Sequence, residues 1–245
     1  PFIIILLATI LSSKKDFHIY YKYFLSFVVI LPIVFLLIIQ PDVGQTLLVF
    51  LSWLFLIFIS GISLFVFFTF FCVSFVSLLC IIFFIPRFEY IRNRIDSFLN
   101  PSTGTHGAQV EKSIDAITSG GFFGKGIGEG TLKNKVGETH TDFIVSAISE
   151  EFGVVVIILL LIVFLFFTYN IFKKIHLEKD EKIKLILAGS TILIVVQALI
   201  HLGVNIRLFP TTGMTLPYLS YGGSSIIGVS ILSGIILNLT KRKIN

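Results

Sequence analysis

A histidine, an aspartate and two glutamates lie close together where a polar segment meets an apolar run. The stretch "GETHTDFIVSAISEEFG" (residues 137–153) holds His140, Asp142, Glu150 and Glu151. Burial and neighbouring carboxylates raise the pKa of an aspartate, which suits a proton acceptor, whereas nearby lysines lower it. An aspartate that precedes a helix is also a common N-terminal cap. Residue 142 is therefore predicted to be either a capping residue or a proton acceptor. His140 and Asp142 could also bind a metal, but two residues are too few to define a site.

Asp42, in "QPDVGQT" (residues 40–46), is a second carboxylate at the end of an apolar run. Pro41 favours the first turn of a helix, and an aspartate near a helix N-terminus is stabilised by the helix dipole. Ionisable groups near membrane depth are, on the other hand, often functional. Asp42 is therefore expected either to cap the following helix or to face a substrate.

The segment "SGGFFGKGIGEGTLKNK" (residues 119–135) is rich in glycine. No strand or βαβ unit surrounds it, which argues against a nucleotide-binding fingerprint. We expect its glycines to allow tight backbone turns at the membrane surface, with a re-entrant segment around Phe122 and Phe123. Exposed N–H groups and the side chains of Lys133 and Lys135 could contact phosphates.

The stretch "PTTGMTLPYLSYGGSS" (residues 210–225) combines prolines, small residues and tyrosines. Such a break within a bilayer is tolerated where it is buried in protein or lines a wet cavity, and small residues also allow close helix packing. Gln197 and His201 lie one turn apart on the preceding helix and are expected to form hydrogen bonds to another helix.

The elements that position these residues are membrane helices. The 245-residue chain is 55% hydrophobic and only 13% charged, with a mean hydropathy of +0.97. A soluble domain of this size needs more polar surface, so the composition predicts an all-α, polytopic transmembrane bundle. We expect one integral membrane domain over residues 1–245, with a long extracytoplasmic loop over residues 86–142.

Apolar runs predict six full helices, at residues 23–39, 44–60, 62–85, 143–172, 185–202 and 216–239. Residues 44–85 contain no charge and would form a helix of about 63 Å, roughly twice the bilayer core, so we expect a turn at Gly61. The opening run "PFIIILLATIL" is too short to span the membrane. It predicts the end of a further helix, and hence that the chain is a C-terminal fragment.

Lysine placement predicts the orientation. Basic residues cluster in short segments near Lys14, Lys15 and Lys22, at residues 173–184, and at residues 241–243. All three segments lie on one side if the helices alternate, so this side and the C-terminus are expected to be cytoplasmic. The four segments described above then lie at the outer face.

These segments, in this order and between these helices, resemble the SEDS family, typified by FtsW, RodA and SpoVE. The resemblance covers essentially the whole chain, and "GEG" before "HTDF" together with "PTTGMTLP" looks closer to the FtsW branch. It implies ten transmembrane helices in the whole protein, of which this chain would retain the end of the fourth and the fifth to tenth. It also implies the bacterial cytoplasmic membrane, with the active site on the outer face and a location at the division septum.

The resemblance implies a peptidoglycan glycosyltransferase that polymerises lipid II, with Asp142 as the essential aspartate. Glu150 and Glu151 would then be supporting or structural residues. The substrate-binding residues would be Asp42, Lys133, Lys135, His140, Thr141, Ser220, Tyr221, Gly222, Gly223 and Ser224. The expected partners are lipid II, a class B penicillin-binding transpeptidase, other division proteins and membrane lipids, with no nucleic acid. A divalent cation such as Mg²⁺ or Mn²⁺ is a possible cofactor.

The chain departs from the family pattern at Gly137, where a proline is usual, and at His201, where asparagine is common. The earlier helices and a Gln-Pro-Ser-Glu stretch of the family's cavity are absent, so we expect this chain alone to be inactive. Two other functions fit the pattern: a transporter or flippase of the lipid-linked precursor, which would need polar groups extending to the cytoplasmic half, and a scaffold for a partner synthase.

Overall fold

The structure, a computed structural model, describes residues 1–13, 19–84, 88–100 and 105–241. Throughout these residues the regular secondary structure is helical, which confirms the predicted all-α fold. Lys14, Lys15, residues 85–87 at the predicted start of the loop, and the basic residues after Lys241 lie outside the described residues. The α-helices are α1 (Phe2–Leu11), α2 (Ile19–Ile39), α3 (Val43–Ile59), α4 (Leu64–Phe84), α5 (Glu89–Leu99), α6 (Thr105–Gly120), α7 (Ile144–Phe152), α8 (Val154–Leu177), α9 (Glu181–Asn205) and α10 (Gly223–Thr240).

The predicted turn at Gly61 separates α3 from α4. Gly61 has a φ of 89°, a left-handed conformation that glycine adopts without steric cost. At its other end, α3 begins after Asp42, whose Oδ1 accepts a hydrogen bond from Gln45 N at 2.9 Å. Asp42 therefore caps α3, which is the first of its two predicted roles.

The predicted single helix over residues 143–172 is wrong, because the chain forms two helices, α7 and α8, separated by Gly153. Gly153 has φ 81° and ψ 174°, and a Cβ there would lie 2.1 Å from the carbonyl oxygen of Phe122. The glycine-rich segment occupies the space where a continuous helix would pass. Tertiary packing thus overrides the apolar run that predicted one helix.

The predicted helix over residues 216–239 begins later than expected, at Gly223. Pro217 has no N–H, Tyr218 has a φ of 69°, and Ser220 Oγ accepts a hydrogen bond from Leu216 N at 2.8 Å. Residues 216–222 therefore form a turn segment rather than the first turns of α10. In contrast, α9 is longer than the predicted 185–202, and Asp180 Oδ1 accepts a hydrogen bond from Lys182 N at its start.

The polar segment between α4 and α7 contains α5, α6 and a short 3-10 helix, Lys133–Lys135. Four helices of the described residues are long and apolar enough to cross a membrane: α2, α8, α9 and α10. The apolar helices α1 and α3 and the stretch Leu64–Val76 of α4 are shorter. At about 1.5 Å per residue, α3 alone reaches about 26 Å, close to the roughly 30 Å hydrocarbon core.

The chain forms two compact units. The first unit comprises residues 1–81, 167–196 and 226–245, and its core surrounds Trp53, whose Nε1 donates to Ser26 Oγ at 3.1 Å. The second comprises residues 82–166 and 197–225 and has Val145, Ala198 and Leu216 in its core. The second unit contains the polar segments that the sequence predicts at the outer face, apart from that around Asp42.

Candidate active site

Asp142 lies on a tight turn that directly precedes α7. Glu138, with a φ of 55°, presents one carbonyl oxygen to the N–H groups of Thr141, Asp142 and Phe143, at 3.0–3.2 Å. Thr141 Oγ1 also contacts the Glu138 carboxylate, at 3.0 Å. The N-terminal cap position of α7 belongs to Phe143, so capping of that helix does not account for Asp142.

Three hydrogen bonds hold this turn against residues from α9 and from the segment before α10. Asn205 Nδ2 donates to the carbonyl oxygen of Asp142 at 3.0 Å. Ser220 Oγ donates to the carbonyl oxygen of Thr141 at 2.7 Å, and Tyr221 N donates to that of His140 at 2.9 Å. The structure thus brings together five of the predicted site residues, from two segments far apart in sequence: His140, Thr141, Asp142, Ser220 and Tyr221.

The environment of Asp142 favours its protonated form at mildly acidic pH. The side chain is half-buried, and burial together with the negative charge of Glu138 raises the pKa of Asp142 to about 6, against an opposing effect of Arg94. A Cβ placed on Gly213 would lie 3.8 Å from Asp142 Oδ2, so backbone approaches the carboxylate closely here. A carboxylate with this pKa is ionised at neutral pH and is a stronger base than an ordinary aspartate.

Glu150 is fully buried and binds the backbone of the glycine-rich segment. Its carboxylate accepts hydrogen bonds from the N–H groups of Thr131 (2.9 Å), Leu132 (3.0 Å) and Lys133 (2.6 Å). Lys125 Nζ lies 3.6 Å from Glu150 Oε1. Burial acts to raise the pKa of Glu150, but these N–H groups and Lys125 outweigh it and lower the pKa. The contacts make Glu150 a structural residue.

Glu151 binds the same segment. Its carboxylate accepts from Gly128 N at 3.1 Å and is ion-paired with Lys133 Nζ. Its carbonyl oxygen accepts from Gly126 N at 3.0 Å, and that of Glu150 accepts from Lys125 N at 2.9 Å. The two glutamates therefore fasten the glycine-rich segment to the end of α7.

Close backbone packing explains three of the glycines here. A Cβ on Gly120 would lie 2.0 Å from the carbonyl oxygen of Ser149, and one on Gly124 would lie 2.1 Å from that of Glu151. Gly153 makes the reciprocal approach to Phe122 described above. These distances leave no room for a side chain, so close packing accounts for these three glycines.

The remaining predicted site residues are spread more widely. Lys133 is paired with Glu151, whereas Lys135 is exposed. Gly222 lies against Thr215, and Gly223 and Ser224 begin α10. Asp42 caps α3 in the first unit. Contact of any of these residues with a substrate remains a prediction.

Polar residues of α9 hold the segment that faces Asp142. Gln197 Nε2 donates to Thr215 O at 2.9 Å and to Ser225 Oγ at 3.2 Å, and His201 Nδ1 lies 2.7 Å from Met214 O. Gln197 thus reaches α10, as predicted, whereas His201 binds a non-helical segment. With Asn205, these residues form a polar stripe at a spacing of four along α9.

Sequence reasoning missed Asn205, Glu138 and Arg94. The four-residue spacing from Gln197 to His201 could have pointed to Asn205. Arg94, on α5, donates from Nη1 to the carbonyl oxygen of Thr211 at 3.2 Å, and nothing in the sequence places it near Asp142. Among the residues that the structure describes, no group of three or more His, Cys, Asp or Glu side chains could hold a metal ion. A requirement for a divalent cation remains a prediction.

Known proteins resemble the chain over most of its length. The family model of the FtsW, RodA and SpoVE proteins, described as "Cell cycle protein", matches residues 1–245. The probable peptidoglycan glycosyltransferase FtsW of Caulobacter vibrioides is 35% identical, over 85% of this chain and 52% of the relative. That of Trichlorobacter lovleyi is 33% identical, over 89% of this chain and 57% of the relative. The chain therefore spans a little over half the length of these relatives.

Two solved structures share the fold. A chain from a structure titled "Structural coordination of polymerization and crosslinking by a peptidoglycan synthase complex" has a TM-score of 0.77 and 26% identity, with 97% of this chain and 66% of that chain covered. A mutant of the Thermus thermophilus rod shape determining protein RodA has a TM-score of 0.66 and 25% identity, with 98% of this chain and 63% of that chain covered. The match to the family model along the whole chain, supported by these relatives, shows that the chain is a multi-pass membrane protein of the FtsW/RodA/SpoVE family.

Proposed function

We propose that the protein containing this chain is a peptidoglycan glycosyltransferase that polymerises lipid II, with Asp142 as its general base. The observation that carries the proposal is the position of Asp142. It is a half-buried carboxylate with a pKa of about 6, on a turn that three hydrogen bonds from other segments hold in place. The names of the relatives support the reaction class.

The reaction needs a base because a sugar hydroxyl is a poor nucleophile. Asp142 removes the proton from the 4-hydroxyl of the acceptor sugar as that oxygen attacks the anomeric carbon of the donor. The new glycosidic C–O bond forms while the bond from the anomeric carbon to the diphosphate oxygen breaks. Undecaprenyl diphosphate leaves with the bonding electrons, and the proton remains on Asp142 until solvent takes it.

The leaving diphosphate gains negative charge, which cations stabilise. Lys135 is exposed and is the better placed of the two predicted lysines, because Lys133 is paired with Glu151. A divalent cation, where bound, would neutralise the same charge. His140 and Thr141 lie on the turn, and Tyr221 binds it through its backbone N–H. These three residues are proposed to contact the sugars. We further propose the cytoplasmic membrane of the division septum as location and a class B penicillin-binding transpeptidase as partner.

The decisive experiment measures glycan polymer made from lipid II by the full-length protein with its cognate transpeptidase, comparing wild type with Asp142→Asn and Asp142→Ala. Both variants are expected to lose polymerisation by at least about 100-fold, because general-base catalysis contributes roughly that much or more. Asp115→Asn, an exposed aspartate of α6 in the same unit, is the matched control and should retain activity. Normal polymer from both Asp142 variants would show that Asp142 is not the base, whereas absence of polymer with the wild-type protein would favour the scaffold or transporter function.

Loss of folding is distinguishable from loss of the base. The pKa of Asp142 is higher in the folded protein (about 6) than the ordinary value of 3.8 for an aspartate. The ionised carboxylate therefore opposes folding, and this penalty grows as the pH rises from about 4 to about 6 and is fully present above that. Asp142→Asn carries no charge, so its thermal midpoint at pH 7.5 should equal or exceed that of wild type while its activity is lost.

A further inference from the structure

Two phenylalanines and an isoleucine form an exposed apolar tip on the glycine-rich segment. Phe122 is 74%, Phe123 86% and Ile127 78% exposed, although the backbone around them is fastened to α7. Gly121 and Gly124, on either side of the phenylalanines, both have positive φ and turn the chain sharply. The apolar tip (Phe122, Phe123 and Ile127) therefore points away from the core of its unit on a well-anchored backbone.

The depth of the apolar tip is fixed relative to α8. Val154 N donates to Gly121 O at 3.0 Å, and Val155 N lies 3.3 Å from Phe122 O. These are N–H groups of the first turn of a membrane-spanning helix. The residue that carries the first aromatic ring of the tip is thus bonded directly to the end of α8.

The length of the uncharged part of α8 predicts that this end lies at the boundary of the hydrocarbon core. The helix is uncharged from Val154 to Phe172 and then continues with Lys173 and Lys174. Nineteen residues at 1.5 Å each span about 28 Å, close to the roughly 30 Å core, so Val154 reaches one boundary when the lysines reach the other. Only 6% of the apolar window of α8 is buried in this chain, and Ile158 and Leu159 are among its exposed residues, so this part of α8 presents the apolar surface that a lipid-facing helix has.

We propose that the apolar tip inserts into the outer leaflet beside α8 and anchors the glycine-rich segment to the membrane. The tip continues the lipid-facing surface of α8 at the depth where amphipathic segments enter the interface. Lys125 lies between the aromatic residues and Ile127 in sequence, and its partly exposed ammonium suits the phosphates of lipid headgroups.

The anchor is linked to the turn that carries Asp142. Glu150 and Glu151 hold the segment through Lys133, and Thr139 Oγ1 donates to the carbonyl oxygen of Lys133 at 2.8 Å. The tip therefore fixes the height of the 138–142 turn above the bilayer, where a lipid-linked substrate carries its diphosphate. This consequence rests on the proposed function, whereas insertion of the tip into lipid does not.

Spin-label accessibility in lipid vesicles tests the insertion. The full-length protein, with Cys72, Cys80 and any other cysteine replaced by serine, receives one nitroxide through Phe123→Cys. Leu159→Cys on the lipid-facing side of α8 and Lys135→Cys on the exposed 3-10 helix are the matched references. Oxygen partitions into lipid and a nickel chelate into water. The oxygen-to-nickel accessibility ratio at position 123 is therefore expected to be several-fold above that of position 135 and close to that of position 159.

Two results would overturn the proposal. A ratio like that of position 135 would show that the tip lies in water. Low accessibility to both reagents with an immobilised spectrum would show that protein covers it instead of lipid. Ile127→Cys provides an independent label on the same tip if the variant at position 123 does not fold. Its oxygen-to-nickel accessibility ratio is compared with those of positions 135 and 159 in the same way. The readout is independent of catalysis. If the wild-type protein made no polymer from lipid II while position 123 still contacted lipid, the proposed function would be contradicted and the anchor would not.

Discussion

At the scale of single residues, burial is the largest influence on the pKa of Asp142, and two charges of opposite sign adjust it. Glu138 stands four residues before it, and its negative charge acts with burial to raise the pKa of Asp142. Arg94 lies on α5, and its positive charge lowers the pKa of Asp142. Neither residue is required to touch a substrate for this effect, because electrostatic coupling acts through the partly buried surroundings. The two residues adjust the pH range in which the base is ionised.

If Asp142 is the base, polymerisation should rise with pH through about 6 and level off above about 7, because only the ionised form accepts a proton. Glu138→Gln removes a charge that raises the pKa, so its half-activity pH should move down. Arg94→Gln removes a charge that lowers the pKa, so its half-activity pH should move up. Polymerisation rates measured between pH 4.5 and 8.5 test both.

Arg94→Lys is the control for the second change, since it keeps the positive charge while altering the contact with the carbonyl oxygen of Thr211. Its half-activity pH should stay near that of wild type even if its rate falls. Profiles for Glu138→Gln and Arg94→Gln that move in the same direction, or not at all, would contradict the electrostatic assignment.

At the scale of elements, the glycine-rich segment and the end of α7 form one interlocked structure. The glutamates supply acceptors for N–H groups that no helix or strand satisfies, and the glycines allow the two backbones to meet. A buried carboxylate without these donors would be costly, and the donors without the carboxylate would be unsatisfied. Each component therefore requires the other.

Glu150→Gln should destabilise the protein by about 2 kcal/mol or more. The amide retains one acceptor oxygen but places an NH₂ group against backbone donors, which leaves buried N–H groups unsatisfied. In the wild-type protein the pKa of Glu150 is lowered by folding. The ionised carboxylate therefore stabilises the fold at neutral pH, and this contribution is lost on acidification. The measurement is the thermal midpoint in detergent or nanodiscs at pH 7.5.

Glu129→Gln is the matched control, because Glu129 lies exposed on the same segment. Its substitution should change the free energy of unfolding by no more than about 0.5 kcal/mol and so leave the thermal midpoint close to that of wild type. Equal midpoints for the two variants would contradict the structural role of Glu150.

Gly153→Ala should disrupt the junction of α7 and α8. Alanine is strained at φ 81° and ψ 174°, a region that essentially only glycine adopts, at a cost of about 1–3 kcal/mol. Its Cβ would also lie 2.1 Å from Phe122 O, so the glycine-rich segment would have to move. Gly228→Ala on α10, where nothing lies within 4 Å of the added Cβ, should be tolerated. Protease sensitivity of the 121–135 segment, compared between the two variants, reports the difference. Equal resistance in both would argue against the close backbone contact.

At the scale of the whole molecule, the placement of lysines predicts that the membrane separates the basic segments from the candidate site. The last turns of α8 carry Lys173 and Lys174, and the connection to α9 carries Lys179, as expected for a cytoplasmic segment. The turn with Asp142 precedes the opposite end of α8. A helix of 24 residues is about 36 Å long, enough to cross a membrane, so we expect the two regions at opposite membrane surfaces.

Cysteine labelling tests this orientation. In a background with Cys72 and Cys80 replaced, Lys135→Cys should react with a membrane-impermeant maleimide added to intact cells, whereas Lys179→Cys should react only after the membrane is permeabilised. Both lysines lie outside the membrane-spanning helices, so access to the reagent is the variable. The reverse pattern would contradict the orientation, and with it an outer-face reaction.

The sequence by itself determined the helical class, the turn at Gly61 and five residues that meet at the turn of Asp142, because apolar runs, helix breakers and isolated carboxylates are local properties. It could not foresee that Gly153 divides the apolar run of residues 143–172, or that α10 begins only at Gly223. It also could not show which neighbours set the pKa of Asp142, since Arg94 and Asn205 are distant in sequence. These features depend on which backbones pack together and which buried polar atoms find partners, and only the tertiary structure decides that.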